Sequence, residues 1–349
     1  MKLAFILSRC TNLGPFIVAR DLVRHLLPKV TAIDVFYLRE SGEKLLFAVE
    51  PQKIRFNEKI NFNAYDLVHS HGFVADAYVY FHTRHKGVKT VTTLHQRIAP
   101  DYAMKYNAAV GYLFERFWCS MIQSSSAVVT LTGLLADYYK KRLRRNDISF
   151  IYNGIEHPRP SGKLDPGDEK KIKILKDRYK LIGISARLIH LKGIDQVIKA
   201  LSVTNEFALV VVGDGIKKEE LMAEAKSLTV DDRCLFVGYQ KNAVDYFPFF
   251  DLYAMSSRSE GFGLCVVEAA ANKIPVVCSD LPVYRELFQN GEVVRYELED
   301  ISSLAQALRQ AIANQKSLSE KIYQTYTHQF TAEQMACRYL AVYQKILNQ

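Results

Sequence analysis

No run of about eighteen apolar residues occurs anywhere in the 349-residue chain, so no segment is expected to cross a bilayer as a helix. Met1-Lys2 followed by Leu3-Ala4-Phe5-Ile6-Leu7 imitates the start of a secretory leader. Ser8-Arg9 ends that run too soon, and the segment reads as a first strand. Cysteine is sparse and scattered, at positions 10, 119, 234, 265, 278 and 337, with no Cys-x-x-Cys pair. That spacing argues against both a disulfide framework and a zinc site, and it suits a reducing, cytoplasmic setting. No repeat of solenoid length and no low-complexity tract is present, which sets aside repeat and disordered architectures. Gly213-Asp214-Gly215 begins like a dinucleotide fingerprint, but Lys218 occupies the third glycine's place, so hydride chemistry loses its main support. There is neither a P-loop nor an Asp-x-Asp, so ATP hydrolysis and a metal-chelated nucleotide are both disfavoured. His69-Ser70-His71 has no carboxylate or cysteine cluster beside it, and no metal or other cofactor is expected.

What is present is a large apolar fraction, 49% of residues, enough for two cores in a chain of this length. Lys and Arg exceed Asp and Glu for a net charge of +9, which favours anionic partners such as nucleotide phosphates or acidic lipid. Nucleic acid is not expected, because the basic residues belong to no recognisable binding motif. Apolar strand-like runs alternate with amphipathic helical stretches throughout, the pattern of parallel sheets covered by helices on both faces. Strands are expected near Leu3-Leu7, Ala32-Tyr37, Leu67-His69, Thr90-Leu94, Ala127-Thr130 and Ser149-Ile151. The pattern then starts over near Leu181-Ser185, Ala208-Val212, Cys234-Val237, Leu252-Met255, Pro275-Cys278 and Val293-Val294. Between the halves, Glu156 to Lys173 holds Pro158, Pro160, Gly162, Pro166 and Gly167 among charges, a linker composition. The reading is therefore an α/β protein of two doubly wound domains, 1-157 and 158-330, followed by a last helix within 331-349.

The most informative stretch is Glu260-Gly261-Phe262-Gly263-Leu264-Cys265-Val266-Val267-Glu268, where a glycine pair opens an almost wholly apolar helix. Such a helix is normally buried, and a buried carboxylate at Glu268 needs hydrogen-bond donors, which a hydroxyl-rich ligand supplies. Amides of Gly261, Phe262 and Gly263 lie where the helix begins, and a helix start attracts phosphate through free N-H groups and its dipole. The plain alternative is that Glu260 caps the helix or faces solvent while Glu268 pairs with an arginine in an ordinary core. After the strand at Leu181-Ser185 come Arg187 and Lys192-Gly193, two cations fit to clamp a diphosphate, or else members of surface ion pairs.

With seven residues between its two glutamates and the strand-like Leu252-Tyr253-Ala254-Met255 ahead of them, this segment resembles the signature of the GT-B glycosyltransferases of family 4. The resemblance covers nearly the whole chain and is strongest from Leu181 to about Arg295. It implies a GT-B fold of two Rossmann-like domains facing an interdomain cleft, the first for the acceptor and the second for the donor. It also implies that the last helix packs back on the first domain. In activity it implies retaining, metal-independent hexosyl transfer from a nucleoside diphosphate sugar, UDP-sugar favoured, to a saccharide or lipid-linked acceptor in bacterial surface polysaccharide synthesis. The implied donor contacts are Arg187, Lys192, Glu260, Gly261, Phe262, Gly263, Leu264 and Glu268, with Gly238 and Tyr239 on the side of the base. His95, after Thr92-Thr93-Leu94, corresponds to a histidine beside the transferred sugar, and His71 is an acceptor-side candidate. In Cys10-Thr11-Asn12-Leu13-Gly14-Pro15 only Gly14 remains of a glycine pair that lets backbone approach phosphate, and Pro15 removes an N-H. Asn153-Gly154-Ile155-Glu156 also resembles the family, with Glu in place of the usual Asp. Rival readings are a catalytically silent partner of the same fold in a polysaccharide assembly complex, and a same-fold phosphorylase or epimerase.

Peripheral contact with an anionic membrane is a separate expectation. The run Lys140-Lys141-Arg142-Leu143-Arg144-Arg145 is either a solvated face or a lipid-facing one. Tyr102, Tyr106, Leu113 and Phe117, with Trp118, Lys105 and Arg116 nearby, read either as core or as residues of a headgroup layer.

Overall fold

The computed structural model describes residues 1-40, 44-84, 87-158 and 160-349, with Met104 and Lys105 described for the backbone only. By its internal contacts the chain divides into Met1–Glu156 with Phe330–Gln349, and His157–Gln329. The first unit is a parallel sheet of β1 (Lys2–Arg9), β2 (Ala32–Arg39), β3 (Gln52–Lys53), β4 (Leu67–His71), β5 (Thr90–Leu94), β6 (Ala127–Thr130) and β7 (Ser149–Phe150). Its strand order is β3-β2-β1-β4-β5-β6-β7, so the winding reverses between β1 and β4. The second unit repeats the plan with β8 (Lys180–Ser185), β9 (Phe207–Val212), β10 (Cys234–Gly238), β11 (Leu252–Met255), β12 (Val276–Ser279) and β13 (Val294–Tyr296). Its order is β10-β9-β8-β11-β12-β13, with the reversal between β8 and β11. Every expected strand is present. The addition among the described residues is β3, two exposed residues at a sheet edge, too short to carry an alternating pattern.

Burial explains why these runs are strands. β5, β6, β9, β11 and β12 are buried along their whole length, as strands covered on both faces must be, and they are correspondingly apolar or paired. Polar residues inside the first sheet are answered by hydrogen bonds. Asp76, 3% exposed, accepts from Ser70 Oγ (2.6 Å), Thr92 Oγ1 (2.7 Å) and Trp118 Nε1 (2.7 Å), and so ties β4, β5 and the helix Ala108–Ile122 together. Burial nevertheless pushes its carboxyl up to about 6. No helix among the described residues is long and apolar enough to cross a membrane.

The last helix, Ala332–Leu347, lies in the first unit, where the Tyr339 hydroxyl meets Thr93 Oγ1 at 2.9 Å and the Tyr343 hydroxyl meets His69 Nδ1 at 2.6 Å. Its entry is joined to the end of the first chain segment. The Ile155 amide donates to the Phe330 carbonyl and the Ala332 amide to the Ile155 carbonyl, each at 3.0 Å. Gly154 permits this approach, since a Cβ there would stand 2.1 Å from the Thr331 carbonyl oxygen. Backbone cannot yield as a flexible side chain does, so Gly154→Ala is expected to lower unfolding stability by about 3 kcal/mol, read as a lower urea midpoint at unchanged slope. An unaltered midpoint would contradict this account of the junction.

Candidate functional site

In open parallel sheets the residues just beyond the carboxyl ends of strands at the winding reversal are placed for ligands. In the second unit these are the loops after β8 and β11. The first holds Arg187, exposed and with no side-chain hydrogen bond or ion pair among the described residues, and then the short turn His190–Lys192. Gly193 follows at φ +62° and starts the helix Ile194–Ser202. A Cβ at Gly193 would lie 2.0 Å from the Ser256 carbonyl oxygen, so the two loops are pressed together at a point only glycine admits. Hydrogen bonds hold that contact. Ser256 Oγ donates to the Lys192 carbonyl at 2.9 Å, and Gln196 Nε2 donates to the Ser256 carbonyl at 3.0 Å.

The consequence is an ion pair between the Lys192 ammonium and the Glu260 carboxylate, whose side chains are 20% and 11% exposed. Ser257 Oγ donates to the same carboxylate oxygen at 2.8 Å, and Ser279 Oγ holds the Ser257 carbonyl at 2.6 Å. Arg258, which sequence reasoning did not single out, organises the outer side of this loop. Its guanidinium forks onto Asp195 (2.9 and 2.7 Å), reaches Glu299 and donates to the His190 carbonyl, while its amide donates to the Leu191 carbonyl at 2.8 Å. The Asp195 and Glu299 carboxylates hold this guanidinium more firmly protonated than usual. Nothing in local spacing announces it, because Asp195 and Glu299 converge only through the fold.

The glycine turn is placed as the sequence implies at its start and differently further on. Gly263 precedes the helix Leu264–Ala271. First-turn amides of a helix lack intrahelical acceptors. The Val266 amide is answered by the Gly263 carbonyl at 3.0 Å, which among the described residues leaves the Leu264 and Cys265 amides as the helix start's donors. Phe262 is buried and anchors the turn in the core, while Gly261 is half-buried. Glu268 is also half-buried, not buried as the all-apolar helix suggested. Together with Leu264 and Cys265 it forms the partly open stripe of that helix. Gly238 ends β10, and its carbonyl accepts from the Gly213 amide at 2.8 Å; Tyr239 beside it is 61% exposed. The Asp214 carbonyl accepts from the Leu188 amide at 2.9 Å, which brings the Gly213-Asp214-Gly215 turn against the Arg187 loop.

In the first unit, Gly14 begins the helix Gly14–Leu26 with Pro15 behind it. The amides of Phe16 and Ile17 both donate to the Leu13 carbonyl, so the first turn offers little beyond the Gly14 amide to an anion. His95 follows β5, half-buried, with Nε2 at 3.0 Å from Nδ1 of His71. His71 is fully buried, so its ring offers no surface to a ligand. Burial holds both imidazoles well below their ordinary range, His95 at about 3, and both are neutral near pH 7. No group of three metal-ligating side chains occurs among the described residues.

The aromatic stretch splits. Asn107 caps the helix Ala108–Ile122 and separates it from Ile98–Lys105, so Tyr102 and Tyr106 do not continue the stripe of Leu113 and Phe117. Tyr102 packs on Phe114 and Trp118 is core, whereas Tyr112, Leu113 and Phe117 are 51%, 65% and 53% exposed. The side chain of Lys105 lies outside the described residues. Most of the basic run is engaged internally. Lys140 pairs with Asp137, Arg142 with the buried Glu115, and Arg145 with Asp147 and two carbonyls. Lys141 and Arg144 remain exposed without a side-chain partner among the described residues.

Comparison with known proteins adds three findings. Residues 167-328 match the family model described as glycosyl transferases group 1, and residues 17-159 match that of glycosyltransferase family 4. The O-antigen biosynthesis glycosyltransferase WclY of Escherichia coli is 29% identical over 100% of this chain and 99% of its own length. The lipopolysaccharide core biosynthesis mannosyltransferase LpsB of Rhizobium meliloti is 30% identical over 49% of this chain and 50% of its own length. In structure, Anabaena HepE in complex with UDP aligns with a TM-score of 0.82, covering 99% of this chain and 100% of its own, at 17% identity, which speaks to the fold.

Arg258 supplies a test of the loop architecture. Replacing it by methionine leaves the partly buried Asp195 with Lys199, at 3.7 Å, as its remaining ion-pair partner, and is expected to lower unfolding stability by about 2 kcal/mol in chemical denaturation. A variant as stable as the parent would show the fork to be dispensable.

Proposed function

For a chain that is a glycosyltransferase of the GT-B fold, we propose a retaining family 4 enzyme that moves a hexose from a nucleoside diphosphate sugar. The acceptor is a saccharide or a lipid-linked saccharide in bacterial surface polysaccharide synthesis. The observation that carries this reading is the Lys192–Glu260 pair at the reversal of the second sheet, with the exposed Arg187 in the same loop as Lys192 and the helix start at Leu264 four residues after Glu260. Cations flanking a carboxylate are what a diphosphate joined to a polyol requires. The biosynthetic setting is supported by the O-antigen role in the name of WclY and the lipopolysaccharide role in that of LpsB, and UDP as donor nucleotide by the ligand of HepE.

In this reading Arg187 and Lys192 bind the diphosphate with the amides at the helix start, and Glu260 accepts from hydroxyls of the sugar. Glu268 accepts from the ribose, Gly238 and Tyr239 lie on the side of the base, and His95 orients the sugar. The bond from the anomeric carbon to phosphate oxygen breaks as that from the anomeric carbon to the acceptor oxygen forms. The acceptor's proton passes to the departing phosphate oxygen on the same face, which gives retention without an enzyme nucleophile. Arg187 and Lys192 spread the charge that develops on the leaving diphosphate. Lys192 thereby exchanges part of its contact with Glu260 for phosphate, while Ser257 continues to hold the carboxylate.

Glu260→Ala, Arg187→Ala and Lys192→Ala are each expected to lower turnover by about 10²- to 10³-fold with the folded circular-dichroism spectrum retained. Rates equal to the parent's would overturn these assignments. A second part of the reading is peripheral contact with an anionic membrane. It is supported by the exposed Tyr112, Leu113 and Phe117 on one helix face with Arg116 among them, and less by the basic run, which is mostly paired. The double change Leu113→Ser, Phe117→Ser is expected to reduce cosedimentation with phosphatidylglycerol vesicles several-fold while transfer to a soluble acceptor persists. Equal sedimentation would remove the membrane contact.

A further inference from the structure

His69 and His71 lie on β4 and His95 just beyond the neighbouring β5, and their hydrogen bonds are unequal. His69 has both ring nitrogens answered, Nδ1 by the Tyr343 hydroxyl at 2.6 Å and Nε2 by Thr93 Oγ1 at 2.8 Å. His71 has one answered. Its Nδ1 meets His95 Nε2 at 3.0 Å, while its Nε2 is buried with no partner. Phe5 lies near-parallel to the His71 ring at a centroid distance of 6.1 Å, and the His69 ring is 4.3 Å away on centroids. The half-buried His95 has no partner at Nδ1 among the described residues, which leaves that nitrogen for solvent or substrate.

A neutral imidazole carries one N-H and one lone pair, so the bond between His71 and His95 admits two proton arrangements. With the His71 proton on Nε2, a buried N-H would face no acceptor. With the proton on Nδ1, only a lone pair goes unanswered. Buried N-H groups without acceptors are the rarer and costlier case, whereas under-satisfied acceptors are tolerated more often. The proton therefore sits on His71 Nδ1 and is donated to His95 Nε2, which must then be the lone pair of its ring. His95, being neutral, holds its own proton on Nδ1.

We infer that His71 is a positioning residue that locks His95 in its Nδ1-H tautomer, so that His95 presents a hydrogen-bond donor to an oxygen of the bound sugar. The choice of a sugar oxygen rests on the function proposed above; the tautomer does not. Burial keeps both rings neutral near pH 7, so the donor is an uncharged N-H rather than an imidazolium. His69, held by Thr93 and Tyr343, stands behind His71 and keeps its ring from turning. The last helix thus reaches His71 through the Tyr343 hydroxyl on His69.

The test uses the full chain labelled with ¹⁵N-histidine and long-range ¹H-¹⁵N spectra, which report the tautomer of each ring directly. The expected result is His95 as Nδ1-H in the parent protein, and a shift towards the Nε2-H form favoured in water in His71→Phe. Turnover with UDP-glucose or another accepted donor should fall about tenfold in His71→Phe at unchanged donor KM. His71→Asn, whose amide replaces the Nδ1 donor, should restore both tautomer and turnover. An Nε2-H tautomer for His95 in the parent overturns the inference, as does an unchanged His95 tautomer in His71→Phe. A shifted tautomer with unchanged turnover overturns the positioning role. If His71→Phe does not fold, the parent and His71→Asn spectra still decide the tautomer, and absence of any sugar transfer would strike the proposed function alone.

Discussion

The contact of the Lys192 ammonium with the Glu260 carboxylate is the interaction around which the carboxyl end of the second sheet is arranged. It exists because two loops that are 64 residues apart at the Ser256–Lys192 hydrogen bond are brought together where only glycine fits, at Gly193. Everything nearby serves that approach. Ser256 and Gln196 join the loops, Ser257 holds the carboxylate, Ser279 holds Ser257, and Arg258 braces the outer side through Asp195 and Glu299. A partly covered ion pair of this kind adds little net stability for the desolvation it requires. In the function proposed above, its value lies in keeping a cation and an anion at fixed positions for a ligand that bears phosphate at one end and hydroxyls at the other.

Much of the fold was legible because the strands inside the two parallel sheets are short, apolar and bounded by polar turns, and because the pattern starts over after a breaker-rich linker. The site was legible where it is local. Glu260, the glycine turn and the helix at Leu264 occupy one continuous stretch, and Arg187 and Lys192 follow a single strand. What the sequence hid is what arises from convergence. Arg258 has partners at 195 and 299, Glu115 buries its carboxylate against Arg142, and Asp76 collects donors from three elements. No periodicity reports such meetings. The burial of Glu268 was misjudged for a related reason: apolar composition all round a helix suggests complete cover, yet Leu264, Cys265 and Glu268 keep an open stripe. The aromatic stretch from Tyr102 to Phe117 looked continuous at helical spacing, but the side chain of Asn107 caps a new helix by accepting from the Val110 amide at 2.9 Å.

The first unit uses a different chemistry at its strand ends. Beside the buried Asp76 carboxylate, a set of neutral imidazoles and hydroxyls runs from Tyr343 and Tyr339 of the last helix through His69 and Thr93 to the strand ends, with His71 and His95 alongside. A chain of neutral hydrogen bonds fixes ring orientation and proton position without placing charge in a buried sheet, where it would be costly.

The most direct measurement is a crystal structure of the protein with a nucleoside diphosphate sugar bound. The account predicts the Lys192 ammonium within hydrogen-bonding distance of a diphosphate oxygen and the Glu260 carboxylate within that distance of a hydroxyl of the sugar. A nucleotide bound elsewhere, with Lys192 and Glu260 still paired only to each other, would contradict it.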